Sequence, residues 1–156
     1  MSFQFEFEQE GKGLDRAKTI LRGATNAALR EIGKTYAPVL KAETPRRSGK
    51  LANSTRGQIT GSPAAQELQV RQGARTPNGA FYGGFVRKGT AAHEIRPVRA
   101  KALRFVIGGN VVFAKKVNHP GTKPNPYHER ALTKVSGQID GIISRTGIKV
   151  AADLMG

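Results

Sequence analysis

The chain has no cysteine among its 156 residues, which excludes a disulfide framework and any zinc site built on thiolates. It has no tryptophan and only 6% aromatic residues, a thin supply for stacking the bases of a nucleic acid. Long apolar runs are missing too. The longest, Phe105 to Ala114, is broken by Gly108-Gly109-Asn110 and falls far short of the roughly 20 residues a bilayer-spanning helix needs. No membrane span is expected. Glu6, Glu8 and Glu10 stand where a signal peptide carries positive charge, so export is not expected either.

Acid is scarce. The 11 Asp/Glu face 26 Lys/Arg, leaving a net charge of +15. Those acids are scattered, and no paired carboxylates, Gly-x-Ser-x-Gly run or Cys-His arrangement suggests hydrolysis. A two-metal nuclease would need several carboxylates beside the basic surface. No catalytic residue and no cofactor is therefore expected, and the chain does not read as an enzyme. The histidines, His93, His119 and His128, have no metal-ligand spacing. His93 reads as part of an ordered turn, and His119 as a partner of nearby backbone.

The positive excess is uneven. Met1 to Glu43 holds seven Lys/Arg against six Asp/Glu, whereas Thr44 to Gly156 holds nineteen against five. Such a field favours a nucleic acid, an anionic membrane surface or an acidic protein, and composition does not choose among them. Arg46, Arg47, Lys50, Lys115, Lys116 and Lys123 are the candidates for the basic surface. Gly83-Gly84 and Gly108-Gly109 read as turns rather than phosphate cradles, since neither is expected to precede a helix.

Hydrophobic periodicity then orders the chain. Phe3, Phe5 and Phe7 alternate with Gln4, Glu6 and Glu8, a strand pattern. Leu14, Ala17, Leu21, Ala24, Ala28, Ile32, Tyr36 and Val39 recur every three or four residues and predict a helix over about 14–40, with Pro38 kinking or ending it. Past Pro45 the pattern turns strand-like at Ile59, Leu68 and Val70, with a turn at Thr76-Pro77-Asn78-Gly79. Phe81, Tyr82 and Phe85, beside Arg87 and Lys88, read as core side chains of a strand. Leu103, Phe105 and Ile107 alternate into Gly108-Gly109-Asn110 and Val111-Val112-Phe113, a hairpin. The prolines of His119 to Tyr127 make a stiff connector, with Asn125 as N-cap and Pro126 as first helical residue. A last helix is predicted from Tyr127 to about Ser144. The sum is an α+β chain, a small antiparallel sheet packed against a long N-terminal helix and a C-terminal helix. We expect one domain over 1–156, with 1–13 an assembly arm and 145–156 a flexible or helical tail.

Three segments carry a family resemblance. They are Thr44-Pro45 with Arg47-Ser48-Gly49-Lys50-Leu51 and Ser54, then Tyr82, Phe85, Gly89-Thr90, His93, Ile95 and Pro97 with Lys101 to Phe105, and finally His119 to Tyr127 with Ala131-Leu132. In order and spacing, over about 14–145, they resemble the tail-component family of long-tailed bacteriophages, which acts in the neck or in tail completion. The resemblance implies a non-enzymatic virion protein, assembled in the bacterial host cytoplasm. It would form a homo-oligomeric ring that joins the DNA-filled head to the tail, near packaged DNA and against other neck and tail proteins. Phe3, Phe5, Phe7, Arg71, Arg75, Asn125 and Pro126 are the candidates for subunit contact and assembly. The alternative is a small basic DNA- or RNA-binding protein.

Overall fold

The computed structural model describes residues 7–62 and 65–156, with the side chains of 7–12 outside the description. The chain is α+β and divides into two compact units. Unit 1 holds the described residues up to Ala74 together with Tyr127–Gly156; unit 2 is Arg75–Pro126.

Unit 1 is built on two long helices, α1 (Phe7–Glu43) and α4 (Tyr127–Met155). They run antiparallel, as the cross-helix contacts show: Arg145 donates to Glu31 at 2.9 Å near the middle, and Arg130 donates to Glu43 at 3.1 Å at one end. The fourfold spacing of Ala131 and Val135 and the later Ile142 put one face of α4 inward, and all three are buried with Leu40 of α1. Leu40, Val135 and Ile142 each contribute about 1.5–3 kcal/mol when fully buried, and the Ala131 methyl less.

Helix α1 departs from expectation at both ends. Phe7 opens the helix and does not sit in a strand, while Phe3 and Phe5 lie outside the described residues. Pro38 neither ends α1 nor stops it short of Glu43. Pro38 is exposed, as is Lys34, whose carbonyl loses its i+4 N–H donor to the proline. Packing along α4 outweighs the roughly 3 kcal/mol that an interior proline costs. At the other end of the chain α4 continues well past Ser144, through Gly147 to Met155.

After the short α2 (Lys50–Asn53), β1 (Thr55–Ser62) and β2 (Ala65–Gln72) pair antiparallel, from Thr55 opposite Gln72 to Ser62 opposite Ala65. This hairpin packs on α1. Leu68 seats against the bare backbone of Gly33, where a Cβ would stand 3.2 Å from Leu68 Cδ1.

Unit 2 contains α3 (Gly83–Lys88) and two ribbons: β3 (His93–Ile95) with β6 (Val117–His119), and β4 (Leu103–Ile107) with β5 (Asn110–Ala114). Among the described residues the antiparallel pairing of strands is thus spread over three two-stranded pieces. Phe81 to Phe85 do not form a strand: Phe81 makes an isolated bridge to Arg75, and Gly83-Gly84 begin α3. Those glycines are therefore the first residues of a helix and not a turn, but the helix has only six residues. A second bridge joins Thr90 to Thr122, with both backbone hydrogen bonds at 3.0 Å. It is hemmed by Gly89 and Gly121 at φ 72° and 86°, where a Cβ would meet the carbonyl oxygens of Thr122 and Thr90 at 2.3 Å. Only glycine fits either place.

Candidate functional site

The buried side chains divide unevenly between the units. Leu40, Leu51, Ala52, Ala74, Tyr127, Ala131, Val135 and Ile142 form the core, all in unit 1. In unit 2 only Gly83 is buried. Phe81 and Phe85, expected in a core, are exposed. Unit 2 also concentrates the charge: its 52 residues hold ten Lys/Arg and one acid, Glu94, giving +9 of the chain's +15. Glu94 is already engaged, by Arg96 and by Lys116 at 3.3 Å.

The β4–β5 ribbon leaves one of its two faces exposed. Gly108 and Gly109, at φ 56° and 87°, close it as a two-residue turn with positive φ at both positions, the type I′ geometry that suits the twist of a hairpin. Alternation sends Leu103, Phe105, Val112 and Ala114 to one face, where all are half-buried, and Arg104, Val106, Val111 and Phe113 to the other, where all are exposed. Phe113 is 65% exposed, directly opposite Arg104. A two-stranded ribbon is at best marginally stable in water by itself.

The expected basic and contact residues do not gather into one patch. Arg46, Arg47 and Lys50 are exposed around the start of α2, and Arg71 is exposed on β2 opposite Arg56. These belong to unit 1. Lys115, Lys116 and Lys123 are exposed in unit 2, as is Arg75, whose guanidinium donates to the Gly79 carbonyl at 2.7 Å and shapes its own turn. Asn125 anchors the connector through its N–H, shared between the carbonyls of Val86 and Arg87 at 3.2 and 3.1 Å. The last helix starts at Tyr127, just past Pro126.

Two side-chain arrangements escaped the sequence reading. His93 and His119 are register partners on β3 and β6, with ring centroids 5.0 Å apart. His93 Nδ1 lies 2.9 Å from the Ala91 carbonyl, and His119 Nδ1 accepts from the Gly121 N–H at 3.0 Å. His128 stands apart in unit 1, against Tyr127 and 3.4 Å from the Tyr36 hydroxyl. Among the described residues no group of three or more His, Cys, Asp or Glu could hold a metal ion. The second arrangement is a buried polar chain in unit 1: Tyr127 donates to Gln72 at 2.7 Å, and Gln72 donates to Thr44 at 2.8 Å and to Thr55 at 3.1 Å. Thr44 passes the chain on to the Leu40 carbonyl. Every member is satisfied, which is what a buried network needs in order to stabilise.

Gly33-Lys34-Thr35 has the sequence of a phosphate-loop ending, yet it lies inside α1 with Ala28 in place of the upstream glycine. It forms no loop. Among the described residues no helix is long and apolar enough to cross a membrane.

No family model matches the chain, and neither a curated protein nor a solved structure matches it.

Proposed function

We propose that this chain is a structural subunit of the bacteriophage head–tail junction, a neck or tail-completion protein. Several copies would form a ring joining the DNA-filled head to the tail, in a virion assembled in the host cytoplasm. It performs no catalysis in this reading. One observation carries it: a 52-residue unit with a net +9 buries no side chain of its own, so neighbours would have to complete it. Isolated two-stranded ribbons gain too little burial to offset the entropy of ordering them. An interface supplies what the missing core does not. The motif resemblance supplies the place of that interface, and the cross-braced helix pair of unit 1 supports it by giving each copy a fixed shape, which ring closure requires.

The same charge favours a second reading, a small basic DNA- or RNA-binding protein. Two measurements separate them. A nonsense mutation in the coding gene should leave unjoined heads and tails by electron microscopy, and the purified protein or its complex with neck partners should persist at high salt. Normal particles in the mutant would overturn the structural role. Binding to nucleic acid that falls steeply with salt, without any assembly defect, would establish the second reading instead.

A further inference from the structure

We infer that the β4–β5 ribbon is a strand-acceptor site, and that its occupant is an extended acidic segment of a partner polypeptide in which apolar residues alternate with carboxylates. The inference goes beyond the virion reading and stands or falls separately from it.

The backbone argues for a strand. A two-residue turn makes Ile107 and Asn110 a hydrogen-bonded pair, and the pairing alternates from there. Phe105 with Val112 and Leu103 with Ala114 therefore bond across the ribbon, whereas Arg104, Val106, Val111 and Phe113 turn their N–H and C=O groups outward. Among the described residues no other backbone or side-chain hydrogen bond reaches those four. Both edges thus present unpaired donors and acceptors in alternation, a template that an added strand satisfies and that a sheet edge normally hides.

The side chains argue for its chemistry. The same four residues project Arg104, Val106, Val111 and Phe113 onto one exposed face. An alternating strand added beside β4 turns one kind of side chain to each face: its carboxylates to the face of Arg104, and its apolar residues to the face that holds Leu103 and Phe105. A phosphate backbone only accepts hydrogen bonds, so it would leave the outward carbonyls unmatched. A second copy of the ribbon would bring two units of +9 together, and like charges in juxtaposition oppose pairing. Arg99 and Lys101 lead into β4, Lys115 and Lys116 follow β5, and Glu94, the only acid of Arg75–Pro126, is held by Arg96 and Lys116. Carboxylates on the incoming strand match this surroundings.

The test uses the full chain and a fluorescein-labelled, acetylated peptide of alternating glutamate and valine long enough to span β4. Controls are a peptide of the same composition in block order, a lysine–valine alternation, a DNA duplex and oligothymidine. The alternating acidic peptide should bind, with the block-order peptide about tenfold weaker because register is lost. Arg104→Glu should weaken binding about tenfold at unchanged circular dichroism, and Val106→Thr, which keeps strand propensity, should weaken it less. Amide exchange supplies a readout independent of variant folding. The N–H groups of Arg104 and Val106, or those of Val111 and Phe113, should gain protection on adding peptide, while Phe105 and Val112 change little. Equal affinity for the block-order peptide, or no gain at the outward amides, would overturn the proposal. So would the same protection produced by DNA, or by raising protein concentration alone.

Discussion

The Tyr127 hydroxyl donates to the Gln72 side-chain carbonyl at 2.7 Å, with both residues buried. Gln72 ends β2 and Tyr127 begins α4, so one hydrogen bond ties together the two places between which unit 2 is inserted in the chain. Through Gln72 the tie reaches Thr44 just past α1 and Thr55 at the start of β1.

Tyr127→Phe keeps the ring and removes the donor, leaving the Gln72 oxygen buried without a partner. Such a group costs about 1–3 kcal/mol. Urea unfolding of the variant should show a lower midpoint with an unchanged slope. Replacing Gln72 by Met in the same chain should recover part of the loss, because no orphaned oxygen then remains. A strictly additive double variant would show that the two side chains do not act as a pair.

The glycines at 89 and 121 set a second expectation. Gly121→Ala places a Cβ 2.3 Å from the Thr90 carbonyl and in a backbone region that L residues disfavour. The Thr90–Thr122 bridge should open, raising amide exchange at those two residues and hastening proteolysis within Arg75–Pro126. Unit 1 should melt almost as before, since it owns the core. A large fall in its melting temperature would contradict the division into two units.

Acid should weaken unit 1 through Glu43. Hydrogen bonds from Lys134 and then Arg130 hold its carboxyl below the ordinary value of 4.5. The folded state therefore releases this proton more readily than the unfolded chain does. Its contribution is complete above the unfolded value and is lost as the pH falls through the lowered folded one. Glu43→Gln should melt lower than the parent near neutral pH, and the gap should narrow below pH 4.5 and at high salt. A gap that persists in strong acid would trace the stability to packing instead of charge.

Much of the architecture was legible locally. Apolar residues at steps of three and four announced α1 and α4, because a helix in a small chain must bury one face. Glycines at 108 and 109 announced the β4–β5 turn, because few other residues accept positive φ at two successive positions. The scarcity of acid after Thr44 announced a basic surface. Tertiary structure decided the rest. Whether Pro38 ends a helix depends on what packs beyond it, and α4 supplies that packing. Strand register alone brings His93 beside His119, across 26 positions of chain. Alternation in Leu103 to Ala114 told which side chains share a face, but it could not tell that neither face meets a core. Periodicity records the preference of a chain for burial; only the folded chain shows which of those preferences it meets itself and which it leaves for a partner.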